Sequence, residues 1–69
     1  MNVFSKRLKE LREEKKLSQP QVADSLQVSR SAYANWEQGR REPDINGIKM
    51  LCKFFNVSAD FLLGLSDSP

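Results

Sequence analysis

The sequence predicts an all-α fold, a compact bundle of five short helices in a single domain. Apolar residues recur at the three- and four-residue spacings of a helix, whereas no segment keeps the two-residue alternation of a strand. Residues that begin and end helices divide the chain into short segments. A length of 69 residues, 39% of them hydrophobic and 29% charged, is typical of one small globular domain.

The composition also excludes several classes of protein. A single cysteine excludes an intramolecular disulfide and a Cys-rich zinc finger, and the absence of histidine removes the usual metal ligand and neutral-pH acid or base. Because there are also no paired catalytic carboxylates and no phosphate-binding glycine loop, we expect no enzymatic activity, cofactor, metal or small-molecule ligand. Without a long apolar run or a signal peptide, the chain is expected to be cytoplasmic, without membrane contact.

The first two helices are predicted over residues 4–16 and Gln19–Leu26. Ser18 and Gln21 form the S-x-x-Q pattern of a capping box, which marks the start of the second helix. Pro20 lies in its first turn, where a missing N–H costs nothing. The apolar faces of the two helices comprise Phe4, Leu8, Leu11, Val22, Ala23 and Leu26.

The third helix is predicted from Arg30 to about Gln38, with Ser29 as its N-terminal cap and Gly39 as its left-handed end. A loop over residues 40–43 then leads to the fourth helix. The residues expected on one apolar face of that helix are Ile45, Ile48, Leu51, Cys52 and Phe55.

Asp44 is predicted to cap the fourth helix, which ends at Asn56. A short fifth helix over residues 59–63 follows Ser58 and closes at Gly64, so the domain is predicted to span residues 1–64. The last residues, 65–69, are expected to be a flexible tail or the start of a linker.

The second and third helices are predicted to form a helix-turn-helix over about residues 18–37. Two such short helices, joined by about three residues, have to cross steeply. Ala23 is small enough for the close approach, and Val28 points inward at the turn. Tyr33 and Trp36 lie on the inner side of the third helix, where we expect core packing and not stacking on a ligand.

The outward side of the third helix carries polar and small residues without a carboxylate. An arginine can donate to guanine, an asparagine can pair with adenine, and small residues permit close approach in a major groove. Glu37 would repel phosphate there, so we expect it to turn inward toward Arg12. A solvated helix face is the alternative explanation of this pattern. The outward residues are Arg30, Ser31, Ala34, Asn35 and Gln38.

Taken together, the motifs resemble the phage-repressor and Cro-type helix-turn-helix family, the XRE-like transcriptional regulators. The resemblance covers about residues 3–64 and implies a lambda-repressor-like domain that binds double-stranded DNA, usually as a symmetric dimer. It favours a repressor that occupies an operator. The stretches that carry it are residues 7–19, Val22-Ala23, Val28-Ser29, 36–39, 41–43 and 56–64.

The resemblance also implies a role for individual positions. Arg30, Ser31 and Asn35 match base-reading positions, and Ala34 would offer an apolar contact among them. Arg12 and Glu37 match an ion pair that joins the first helix to the third. The chain departs from the family at Gln27, where glycine is usual. The residues expected at the DNA backbone are Arg12, Gln19, Ser29, Gln38, Arg40 and Arg41.

The fifth helix and the tail offer apolar residues for a homodimer that would bind a palindromic operator. The candidates are Phe61, Leu63 and Leu65, joined by the outer member of the Phe54 and Phe55 pair. Three other interpretations remain open at this point. The chain could be the DNA-binding antitoxin of a toxin–antitoxin pair, the N-terminal domain of a longer effector-sensing repressor, or a protein-interaction adaptor that does not bind DNA. We expect a prokaryotic or phage-encoded protein.

Overall fold

The fold is an all-α bundle, as predicted. A computed structural model describes residues 2–69, and within that range it contains no strand. The described chain measures 28 × 23 × 21 Å along its principal axes. No helix within it combines the length and hydrophobicity that a membrane span requires. The five helices are α1 (Val3–Glu14), α2 (Gln19–Leu26), α3 (Arg30–Gln38), α4 (Ile45–Phe55) and α5 (Ala59–Leu63).

Every helix begins with a side chain that caps it. In each case the side-chain oxygen accepts a hydrogen bond from the backbone N–H three residues further along the chain. Ser18 and Gln21 form both halves of the predicted capping box. The five capping residues are Asn2, Ser18, Ser29, Asp44 and Ser58.

Every helix also ends in the same way, with a residue in left-handed geometry followed by a backbone hydrogen bond that reaches five residues back. In three connectors the next residue is apolar and packs against the core, and a serine cap comes directly after it. One short segment therefore ends one helix, anchors the chain and begins the next helix. These connectors are Lys16–Ser18, Gln27–Ser29 and Asn56–Ser58.

The core lies where the inner faces of all five helices meet. The rings of Tyr33 and Trp36 are buried edge to face, with their centroids 6.1 Å apart, so the predicted inner side of α3 is confirmed. Leu62 is the residue of α5 that enters the core completely. The buried apolar residues are Phe4, Leu8, Val22, Ala23, Leu26, Tyr33, Trp36, Leu51, Phe55 and Leu62.

The predicted apolar face of α4 is wrong at Ile45, which is 76% exposed. The predicted Leu51 and Phe55 are buried, and Gly47 is the third buried residue of α4. A Cβ at Gly47 would lie 2.7 Å from the Cβ of Pro43, so a glycine is needed for this close approach. Because Gly47 faces the core, Ile45 is turned away from it. Cys52 and Phe54 are half-buried at the edge, and Met50 is exposed.

The segment after α5 folds back onto α1, in contrast to the expected loose tail. The guanidinium of Arg7 donates to the carbonyl oxygens of Phe61 and Ser66, the second at 2.7 Å, and to the Asp67 carboxylate at 3.1 Å. Its Cζ also lies 4.2 Å from the centroid of the Phe61 ring. The contacts of Arg7 with two carbonyl oxygens, one carboxylate and one ring hold the segment in place.

We predict that Gln27→Gly stabilises the protein. Gln27 has a φ of 59°, a left-handed conformation that costs a residue with a side chain about 1–2 kcal/mol. Glycine removes that cost but has more freedom in the unfolded chain, so the free energy of unfolding should rise by up to about 1 kcal/mol in urea denaturation. Ser25→Gly, inside α2, should lower it. A decrease for both variants would show that the left-handed position carries no strain.

Candidate nucleic-acid interface

Where α2 and α3 cross, one side of α3 is buried and the other side is exposed. Ala23 is fully buried where the helices approach, and Val28 packs partly against the core. The inner side of α3 buries Tyr33, Trp36 and Glu37. The opposite side of α3 is therefore presented outward by a rigid support.

The outward face of α3 consists of the residues at positions 30, 31, 34, 35 and 38, which share one side of a helix. Arg30, Ser31 and Gln38 are exposed, and Ala34 and Asn35 are half-buried. The face contains no carboxylate, because the one acidic residue of α3 is turned inward. The structure thus groups these five predicted site residues on a single surface.

Further predicted site residues lie at the two ends of α3. Ser29 is exposed at the N-terminal end, where its hydroxyl also accepts the backbone N–H of Ala32 at 3.0 Å. Arg40 and Arg41 are exposed immediately after the left-handed Gly39 at the other end. Neither arginine forms an ion pair with the residues that the structure describes, so both guanidinium groups are free to meet an anion.

A buried, forked ion pair joins α1 to the inner side of α3. The Nε of Arg12 lies 2.7 Å from Oε2 of Glu37, and its Nη2 lies 3.0 Å from Oε1. The Glu37 side chain is only 2% exposed. The Nη1 of Arg12 donates to the carbonyl of Leu17 at 2.9 Å, and Gln19 donates to Oε1 of Glu37 at 3.1 Å. The carboxylate therefore accepts hydrogen bonds from side chains of α1 and α2 and is oriented away from the outward face.

The surroundings of Glu37 favour its charged form. Burial alone would raise the pKa of this carboxyl, but the hydrogen bonds from Arg12 and Gln19 outweigh burial and hold the pKa below its ordinary value. The same hydrogen bond to Glu37 raises the pKa of Arg12. Burial, together with the nearby Glu37 carboxylate, raises the pKa of Tyr33. The Tyr33 hydroxyl has no hydrogen-bond partner among residues 2–69.

Two residues expected at the DNA backbone are engaged inside this network. The Gln19 side chain lies at the start of α2, but its amide is used by Glu37. The guanidinium of Arg12 is 13% exposed and is held by Glu37 and Leu17. The structure therefore assigns both side chains a structural contact, and their contacts with DNA stay predictions.

The structure also contains an ion pair on the outer surface that the sequence patterns did not reveal. The Asp24 carboxylate of α2 accepts from Nε of Arg30 at 3.3 Å and from its Nη2 at 2.9 Å. Both side chains are well exposed, and the hydrogen bond from Arg30 lowers the pKa of Asp24. The opposite charges of Asp24 and Arg30 on either side of the connector could have suggested this ion pair. Their six-residue spacing, however, is not that of a regular pair within one helix.

The predicted dimer residues form only part of an apolar patch near α5. Leu63 is 46% exposed and Leu65 is 76% exposed, whereas Phe61 is half-buried beneath the Arg7 guanidinium. Val3, which the sequence patterns missed, is half exposed and would contact a Cβ added at Gly64. We call Val3, Leu63 and Leu65 the α5 patch.

Comparison with known proteins identifies the family. Residues 8–62 match the sequence profile of a helix-turn-helix family. This chain belongs to the helix-turn-helix family. The matched range covers α2, the Gln27–Ser29 connector and α3, together with most of α1 and the whole of α4. The predicted resemblance to this family is confirmed.

Relatives in the helix-turn-helix family include a transcriptional activator and a transcriptional repressor. The chain is 43% identical over 60 residues to the HTH-type transcriptional activator BcrR of Enterococcus faecalis, covering 87% of this chain and 29% of BcrR. It is 30% identical over 66 residues to the cryptic phage CTXphi transcriptional repressor RstR of Vibrio cholerae, covering 96% of this chain and 60% of RstR. The chain thus spans less than two thirds of the length of these relatives.

A solved structure confirms the lambda-repressor-like fold within the helix-turn-helix family. The DNA-binding domain of the P22 C2 repressor superposes with a TM-score of 0.81 at 29% sequence identity. The match covers 100% of this chain and 96% of the P22 domain. The arrangement of all five helices is therefore that of a repressor DNA-binding domain.

We predict that Glu37→Gln strongly destabilises the protein. It removes one partner of a buried ion pair and leaves the Arg12 charge uncompensated, which costs roughly 3–5 kcal/mol. Urea denaturation should show this loss, whereas Asp24→Asn, which breaks the exposed ion pair with the same forked geometry, should change stability little. Equal effects of the two substitutions would contradict the importance of burial.

The stabilisation by Glu37 should also depend on pH. Its pKa is lower in the folded state than in the unfolded state, so the stabilisation is present above the ordinary carboxyl pKa and is lost as pH falls through the folded-state pKa. The difference in unfolding free energy between wild type and Glu37→Gln should therefore shrink from about pH 7 to about pH 3. A constant difference over this range would contradict the lowered pKa.

Proposed function

We propose that the chain binds specific sequences of double-stranded DNA through the outward face of α3 and represses transcription by occupying an operator. The observation that carries this proposal is the outward face of α3, whose own residues include no carboxylate, on a helix supported by α2. An exposed helix of this kind fits the major groove, and its neighbour crosses the DNA backbone. The proposal places the protein with the DNA in the cytoplasm of a prokaryotic host.

Four residues of the outward face are proposed to contact base edges. Arg30 can donate two hydrogen bonds to guanine, and Asn35 can pair with adenine. The hydroxyl of Ser31 can donate or accept, and Ala34 offers a methyl group for apolar contact with thymine. The small side chain of Ala34 supports close approach between the helix and the bases.

The residues at the ends of α3 are proposed to hold the DNA backbone. Ser29 lies at one end of the outward face, and Arg40 and Arg41, which form no ion pair within residues 2–69, lie at the other. Gln38 is exposed on the last turn of α3 and can donate to a phosphate. Arg12 and Gln19 can contact phosphate only through N–H hydrogens that are not already donated to Glu37 or Leu17. These contacts supply affinity and register but little sequence information.

The names of the relatives support regulation of transcription but differ in its direction. RstR is named a repressor and the P22 domain belongs to a repressor, whereas BcrR is named an activator and has the higher identity. Activation is therefore the second candidate function. A reporter gene behind a promoter that contains the selected DNA site separates the two, since expression of the chain should lower the reporter signal for a repressor and raise it for an activator.

A symmetric homodimer on a palindromic operator is the proposed assembly. One helix contacts too few base pairs to select a site in a genome, and dimers of this motif read two half-sites roughly 34 Å apart. The α5 patch supports this proposal, because exposed apolar residues on a small domain commonly mark an interface. The patch is small, so we expect association to be weak in the free protein and completed on DNA.

We predict that Arg30→Ala and Arg40→Ala weaken binding in different ways. Loss of Arg30 should cost about 1–3 kcal/mol on the best site and remove the preference at one base pair. Loss of Arg40 should weaken all sequences about equally and reduce the slope of log affinity against log salt by about one. Selection from a random duplex pool measures the first effect and salt titration the second. An unchanged base preference for Arg30→Ala would contradict its proposed role.

We predict that Leu65→Asp abolishes cooperative binding to a duplex with two half-sites, because it places a charge in the α5 patch. Ile45→Asp is the matched control, since Ile45 is also 76% exposed but lies at the start of α4. Sedimentation with a palindromic duplex should show two chains bound for wild type and for the control. A single chain per duplex at saturating wild-type protein would contradict the dimer.

A further inference from the structure

The exposed ion pair between α2 and α3 has a geometry that matters for reading a base. Asp24 occupies the edge of the Arg30 guanidinium that is formed by Nε and Nη2. Two contacts to one planar group define the orientation of that plane, which a single contact would not. The pair therefore restricts a long side chain that would otherwise sample many rotamers.

The same geometry leaves the other edge of Arg30 available. The hydrogens of Nη1 and the outer hydrogen of Nη2 make no hydrogen bond to residues 2–69. Those hydrogens form the second forked edge of a guanidinium, which matches the O6 and N7 acceptors of guanine. Asp24 and a guanine can accordingly bind Arg30 at the same time.

Asp24 is poorly placed for any other contribution. A carboxylate in the last turn of a helix opposes the helix dipole, and one beside a DNA-binding face repels phosphate. Among the described residues, its side chain has no hydrogen-bonding partner other than Arg30. The contact with Arg30 is thus the one favourable interaction of this side chain that the structure shows.

We propose that Asp24 is a positioning residue for specificity: it holds the Arg30 guanidinium on one edge so that the opposite edge meets guanine. This inference rests on the proposed DNA-binding function and adds to it a residue that touches no base. Asp24 also disfavours DNA in general, since its charge repels every phosphate backbone while its effect on Arg30 benefits only sequences with the matching base pair.

The experiment compares the base preferences of wild type and four variants in a selection from a random duplex pool. They are wild type, Arg30→Ala, Asp24→Ala and Asp24→Glu, with Glu42→Ala as the control for loss of one exposed acidic charge near the DNA-binding arginines. Thermal melting checks that each variant is folded. Affinities are then measured for the selected duplex and for a duplex changed only at the base pair that Arg30→Ala affects.

We expect both Asp24→Ala and Glu42→Ala to bind the changed duplex roughly twofold to threefold more tightly, because each loses one negative charge. Only Asp24→Ala should also reduce the preference for the selected duplex over the changed duplex, by about threefold to tenfold. This is part of the discrimination that a forked arginine–guanine pair provides. Asp24→Glu, which keeps the carboxylate, should restore part of that ratio.

The results separate failure of this inference from failure of the proposed function. A wild-type pool without enriched sequences overturns both. Enrichment that Arg30→Ala leaves unchanged overturns the role of Arg30 and with it the inference. If Arg30→Ala removes a preference but Asp24→Ala affects both duplexes as Glu42→Ala does, the inference alone is overturned.

Discussion

The carboxylate of Glu37 is the point at which three helices are joined, and the exposed surface of α3 depends on it. Arg12 reaches it from α1 with two hydrogen bonds and Gln19 reaches it from the first residue of α2. Its burial would be very unfavourable without these partners, because an isolated charge in a protein interior loses its hydration. Because Glu37 faces inward, one side of α3 is bonded to α1 and α2, and the outward side carries no carboxylate of its own.

The electrostatic properties of the two forked ion pairs differ although their geometries are similar. The Arg12–Glu37 pair is shielded from water, so its attraction is weakly screened and its loss leaves a charge without a partner. The Asp24–Arg30 pair is in water and contributes little to folding, but it constrains the direction of an exposed side chain. One pair therefore positions a helix, whereas the other positions a side chain on that helix.

Local signals predicted the helices well, because caps, left-handed ends and apolar spacing are read from neighbouring residues. The caps of α2 to α5 lie where their own segments predicted them, whereas the Asn2 cap and the left-handed Lys16 of α1 were not predicted. Prediction was weaker where the answer depends on distant residues. Ile45 has the spacing of the α4 face, but the close contact of Gly47 with Pro43 turns it outward. Arg7 contacts the C-terminal segment and Arg30 contacts Asp24, although neither pair has a periodic spacing in the sequence. Sequence patterns therefore do not predict these contacts.

The three-residue connectors have a consequence for how such a protein can evolve. Each one encodes the end of one helix, an anchor in the core and the start of the next helix within a few neighbouring residues. The geometry of the α2–α3 junction is consequently encoded by Gln27–Ser29 and by the inner side of α3, and not by the outward positions. Substitutions at exposed outward positions such as Ser31 should therefore change the free energy of unfolding little. If these positions read bases as proposed, one scaffold can in this way acquire new sequence preferences by changes that are almost neutral for its stability.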